Sequence, residues 1–194
     1  AEAVTDEYLI ELNKGETPVF LMSRFVDEIK EQCISLDNEL GGYLATQALI
    51  SQGHKKIAYI AGPQFKGDAS NRLLGHKRAL AEYNLEFDED LFYIGDFKET
   101  GGADGLRHFM KNKYEFSALV CANDEMASGA MKYAREHDLE LPKDLSVIGF
   151  DNVIFANYLY PKLTTIDNPV SEMGHMAAKM VLKDVYQQKN IAVQ

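Results

Sequence analysis

In this 194-residue chain, polar side chains gather behind apolar runs in five places. Lys66, Asp68, Ser70 and Arg72 follow the run at 56–61. Gly95, Asp96 and Phe97 follow 91–94. Asn123 and Asp124 follow 117–121. Asp151 and Asn152 follow 145–150, and Asp167 and Asn168 follow 163–166. The set combines carboxylates, amides, one arginine and one aromatic ring. That chemistry suits a neutral polyhydroxylated ligand. Carboxylates accept from paired hydroxyls, a guanidinium donates to a hydroxyl or ring oxygen, and a phenyl face covers a C–H face.

Most of these residues also have a purely structural reading. Asn123 or Asp124 can cap the helix that follows, and Asp68 or Ser70 can cap the helix carrying Arg72. Asp96 can shape a turn. Phe97 can belong to the core. Asp37 and Asn38 read as a helix cap.

Other chemistries lack their residues. Gly62 to Gly67 has the frame of a phosphate-binding loop, but Asp68 stands where Lys and then Ser or Thr are needed, and a carboxylate there repels phosphate. No GxGxxG, GxSxG or HExxH occurs. The five histidines, His54, His76, His108, His137 and His175, have no metal-ligand spacing and read as surface or helix-end residues. Cys33 and Cys121 sit in apolar runs and read as reduced thiols in strands, the cytoplasmic pattern. The expectation is no enzyme, no cofactor and no metal.

The elements that must position the polar clusters alternate along the chain. Strands are read at 18–22, 33–36, 56–61, 91–94, 117–121, 145–150 and 163–166. Helices are read at 8–14, 38–52, 71–83, 100–112, 124–136 and 171–186. In helix 38–52 the expected core face is Leu40, Leu44, Ala48 and Leu49. Apolar strands alternating with helices predict an α/β fold, a parallel sheet covered by helices on both faces. In such sheets ligands bind beyond the carboxyl ends of the strands, where the five polar clusters fall.

The chain is 46% hydrophobic and 26% charged, with a formal net charge of −10. That acidity argues against gripping a phosphate backbone with this stretch. No apolar run has the ~20 residues of a membrane span. Residues 1–7 are acidic and lack a signal-peptide layout.

Several segments resemble the LacI/GalR family of bacterial transcription repressors. They are Asp37-Asn38 with 45–63 (ATQALISQGHKKIAYIAGP), 71–75 (NRLLG), 122–131 (ANDEMASGAM), 141–152 (LPKDLSVIGFDN) and 161–166 (PKLTTI). The galactose repressor and isorepressor branch looks nearest, through 33–37 (CISLD), 67–73 (GDASNRL) and 121–126 (CANDEM).

The resemblance implies a type I periplasmic-binding-protein-like effector domain, here one complete lobe and part of a second. The division expected is 1–35 for the partial N-terminal lobe, 36–167 for the C-terminal lobe, and 168–194 for a helix returning to the first. By motif position, the effector-binding residues are Asp68, Arg72, Phe97, Asn123, Asp151 and Asn168. Ser23, Lys66 and Asp96 are secondary candidates, and Ser23 stands where many members carry Asp. The implied partners are a small neutral sugar in the interlobe cleft, a second copy of the chain, and operator DNA. The DNA is met only through a headpiece expected before residue 1. The remainder of the N-terminal lobe is expected outside the chain at both ends. The alternative is a periplasmic sugar-binding protein of an uptake system, which shares the fold.

Overall fold

The computed structural model describes residues 4–16 and 18–188. It divides into two compact units: residues 37–168, and residues 1–36 with 169–194. The expected segments 1–35 and 168–194 extend at their ends beyond the described residues.

The larger unit is built on five parallel strands: β3 (Ile57–Ala61), β4 (Phe92–Ile94), β5 (Ala118–Cys121), β6 (Ser146–Asp151) and β7 (Thr164–Asp167). Their order is β4-β3-β5-β6-β7. Every residue of β3 and β5 is buried, which is why both strands read as unbroken apolar runs. The covering helices are α2 (Asn38–Ser51), α3 (Gly67–Glu82), α4 (Glu99–Lys111) and α5 (Asp124–Glu136). Neighbouring β3 residues sort them by face. The Tyr59 ring packs on His76 of α3, with centroids 4.6 Å apart. Ile60 points the other way and lies against Gly105 of α4.

Helices on each face meet backbone to backbone. A Cβ on Gly42 would overlap the Arg72 carbonyl, and one on Gly75 would overlap the Glu39 carbonyl. These glycines let α2 and α3 approach closely. Gly102 and Gly129 do the same for α4 and α5, against the carbonyls of Met126 and Glu99. The core is Leu49, Tyr59, Ile60, Leu106, Phe109, Leu119, Met126, Met131 and their neighbours.

Several expectations are corrected. Leu40 and Leu44 of α2 are exposed, and the buried face is Gly41, Gly42, Ala45, Thr46 and Leu49. The small residues won that face because α3 comes too close for leucine. Helix α3 begins at Gly67 rather than Asn71, since nothing in 67–70 breaks the turn. His76 is no surface residue but 1% exposed. Cys33 is half-buried, whereas Cys121 is fully buried in β5.

The smaller unit holds α1 (Asp6–Asn13), a two-stranded parallel sheet of β1 (Leu21–Met22) and β2 (Cys33–Ile34), and α6 (Val170–Asp184). Its apolar clusters are Leu9 with Val26 and Ile29, and Ile34 with Met173 and Met180. The strand expected over 18–22 is confined to its last two residues.

Candidate functional site

The carboxyl ends of β5, β6 and β7 converge on one buried cation. Arg72 lies in α3, and its residue is 5% exposed. Its Nε donates to Asn38 Oδ1 at 2.8 Å, and Nη1 donates to the Ala122 carbonyl at 2.5 Å. Nη2 donates to Asp151 Oδ1 at 3.4 Å. The guanidinium lies over the Phe150 ring, 3.6 Å from its centroid. These bonds use three of the five guanidinium N–H groups. Among the described residues, one N–H on each terminal nitrogen is left for another acceptor.

Asp151 is the hub's anion. It accepts from Arg72 and, at 3.1 Å, from Asn168 Nδ2. Burial lifts its carboxyl above the usual range. Arg72 and the Asn168 amide pull it back, and the negative charge of Asp68 adds to the rise. Asp68 therefore belongs to the same electrostatic cluster, from the first turn of α3. The Asn168 Oδ1 atom is buried with no hydrogen-bond partner among the described residues. A buried acceptor in that state calls for a donor.

A second group lies at the ends of β3, β4 and β5. Phe97 has a positive φ of 66°, and its ring covers Gly62, where any side chain would collide with it. Asn123 caps α5 by accepting from Met126 N at 3.0 Å. Its Nδ2 donates to the Phe97 carbonyl at 2.9 Å, so one side chain fixes both the helix and the aromatic loop. Lys66 reaches over the ring, with Nζ 5.5 Å from its centroid.

The structure thus joins Arg72, Asp151 and Asn168 directly, sets Asp68 beside them electrically, and pairs Phe97 with Asn123. Asp96 is exposed and shapes the turn into α4, accepting from Lys98 N at 2.9 Å. Ser23 belongs to the smaller unit, follows β1, and has a positive φ of 60°. Of the two cap candidates for α5, Asn123 takes the role and Asp124 does not.

Three supporting residues carried other readings in the sequence. Asn38 read as part of a cap, but Asp37 alone caps α2, accepting from Leu40 N at 2.8 Å. Phe150 read as one more strand residue. Asp124 is 1% exposed and binds Val153 N at 2.9 Å and the Thr165 hydroxyl at 2.6 Å. Burial raises its carboxyl, and those two hydrogen bonds oppose the rise. It braces the turn at Asp151 and Asn152, whose φ values are 109° and 50°. The sequence signal was there for Asp124: an acid at the head of an otherwise apolar helix face, packed against Gly149, where a side chain would displace it.

Residues 46–194 match the model of the periplasmic binding protein-like domain. The chain belongs to that family, in its LacI/GalR regulator branch. It is 35% identical over 182 residues to the HTH-type transcriptional regulator GalR of Escherichia coli K12, covering 94% of this chain and 53% of that protein. The chain thus spans about half the length of that relative. The crystal structure of the Escherichia coli repressor AscG superposes with a TM-score of 0.89 at 28% identity, over 98% of this chain and 69% of that one. The regulator CelR in complex with cellobiose superposes with a TM-score of 0.78 at 28% identity, over 97% and 65%. Among the described residues, no helix is long and apolar enough to cross a membrane, and no group of side chains is arranged to hold a metal ion.

Proposed function

We propose that this chain is the effector-sensing part of a LacI/GalR-type repressor, and that its effector is a neutral sugar, galactose or a galactoside first. The observation that carries this reading is the Asn168 carbonyl oxygen, buried without a partner among the described residues, on a side chain that shares Asp151 Oδ1 with Arg72. A sugar hydroxyl is donor and acceptor at once. Hydroxyls of a sugar can therefore serve both the Asn168 acceptor and the Arg72 donors. Asp68 and Asp151 accept from further hydroxyls, and Phe97 offers an apolar face.

A phosphorylated sugar suits the site less, because Asp68 and Asp151 already repel one another there. A nucleobase gains most from rings on both faces, and Phe97 is the one ring assigned to the ligand. The relatives described above are regulators, which favours a sensor over an uptake protein. In this reading the sugar acts by binding two states of the protein with different affinity, and operator binding responds through a headpiece. The protein works in the cytoplasm as a homodimer. Ile154, Tyr158 and Tyr160 are 79%, 81% and 86% exposed after β6, a surface suited to a second copy.

The test is thermal melting of the intact protein against galactose, cellobiose, hypoxanthine and glucose 6-phosphate. A ligand that binds only the folded state must raise the melting temperature. Stabilisation by a neutral sugar is expected. Stabilisation by the purine or the phosphate ester alone would overturn the sugar assignment.

A further inference from the structure

The strands that end at Asp151 and Asn168 begin at a separate cavity. It has a volume of about 370 Å³, within the range of small-molecule sites. It lies wholly in the larger unit, at the amino ends of β6 and β7. Its floor is Leu49, Met131, Leu145, Ile148 and Leu163, all buried. Its mouth is formed by exposed residues, among them Ala48 at the end of α2, Pro142 and Lys162.

Two features of the lining specify a ligand. Its apolar part is wholly aliphatic, built from Ala, Leu, Met, Pro, Val and Ile without an aromatic ring. Its one charged side chain is Lys162, with no carboxylate in the lining. Lys162 has no ion pair among the described residues. Two acids on the adjoining loop are engaged elsewhere: Glu140 pairs with Lys143 at 2.8 Å, and Asp144 accepts from the Glu140 N–H at 2.8 Å. Gln52, Ser146 and Thr164 add neutral polar groups to the lining.

We propose that this cavity is a second binding site, for an aliphatic monocarboxylate of medium chain length. The chain lies on Met131, Ile148 and Leu163, and the carboxylate meets Lys162 at the mouth. The site is independent of the sugar site and stands whether or not the chain binds sugars.

The experiment titrates the protein with octanoate below its micellar range, with 1-octanol and octylammonium as head-group controls. Methyl resonances of Met131, Ile148 and Leu163 report occupancy. Saturable shifts with octanoate are expected, weaker with octanol and weakest with octylammonium. Lys162→Gln should weaken octanoate by roughly two- to fivefold, the range of an exposed ion pair. Lys162→Glu is a surface change and should invert the order, so that octylammonium binds better than octanoate. Ala48→Trp, at an exposed position, should close the mouth and abolish binding. Absence of saturable shifts overturns the proposal. So does octanoate binding that survives Ala48→Trp, or that ignores the charge at position 162.

Discussion

Arg72 Nη2 stands 3.4 Å from Asp151 Oδ1, with the arginine side chain 6% exposed and the aspartate side chain 25%. The arginine is the more deeply buried partner, and it also holds the Ala122 carbonyl at the end of β5. It is therefore part of the sheet's own closure as well as the proposed contact to ligand.

Arg72→Met should act on both. Removing the guanidinium takes the side-chain donor from the Ala122 carbonyl and leaves Asp151 with the Asn168 amide. A charged hydrogen bond contributes about 1.5–3 kcal/mol, and the partial exposure of Asp151 keeps the loss near that range. Urea unfolding should show it. Calorimetry with the stabilising sugar should show affinity reduced by roughly ten- to a hundredfold, the same energy read as binding. Unchanged sugar affinity in a folded variant would remove Arg72 from the site.

Asp124 should matter for the geometry of Asp151 rather than for any ligand contact. Its two oxygens serve different partners, the Val153 N–H and the Thr165 hydroxyl. Asp124→Ala removes both acceptors and leaves the Val153 N–H without its partner. Leaving one buried group unsatisfied should cost about 1–3 kcal/mol. Hydrogen exchange should quicken at Val153 before it quickens in β3. Uniform exchange throughout the larger unit would show that Asp124 does not brace this turn.

His76 should make the fold acid-sensitive. Thr46 Oγ1 donates to the Gly42 carbonyl at 2.9 Å, so its 2.8 Å contact with His76 Nδ1 requires the imidazole to donate. Burial keeps this ring neutral, with its proton on Nδ1. Burial, with the Lys77 charge adding to it, pushes the His76 pKa down from 6.5 to about 3. The unfolded chain binds the extra proton first, so this contribution is complete above pH 6.5 and declines as pH falls toward 3. The slope approaches ~1.4 kcal/mol per pH unit for one proton. Asp124 and Asp151, raised by burial, act oppositely: their folded forms hold protons longer, so their contribution is complete below 3.8 and is lost as pH rises. Subtracting the unfolding profile of His76→Asn from that of the parent isolates the histidine. A flat difference between pH 6.5 and 4 would mean that His76 is charged or hydrated in the fold.

What the sequence revealed follows from where the chemistry lies. Strand runs such as 57–61 are legible because burial on both faces leaves no polar option. Their polar endings are legible because chain order alone places them at carboxyl ends. The division of labour at those ends was not. Asn123 and Asp124 are adjacent and both suit a cap, and only the position of β7 decides that Asp124 turns inward to Thr165. The exposure of Leu40 and Leu44 was hidden for the same reason. A helical pattern marks the most apolar stripe, whereas the face that packs here was chosen by Gly42 and Gly75.

That packing leads to the last prediction. At an exposed helical site, replacing Gly with Ala stabilises by about 0.5–1 kcal/mol through backbone entropy. Gly174 in α6 is such a site, with nothing within 4 Å of an added Cβ, and Gly174→Ala should raise stability by that amount. Gly42 has the same intrinsic preference but no room. An added methyl would overlap the Arg72 carbonyl, which is helix backbone and cannot swing aside. The helices must separate, at an overpacking cost of about 1–3 kcal/mol that exceeds the entropic gain. The atoms displaced belong to Arg72 itself, so Gly42→Ala should also weaken sugar binding from a position that no ligand touches. Gly75→Ala, pressing on Glu39 in the same interface, should destabilise alike. Melting curves and sugar titrations on the three variants separate the effects. If Gly42→Ala gained stability as Gly174→Ala does, the close approach of α2 and α3 would not be what holds Arg72 in place.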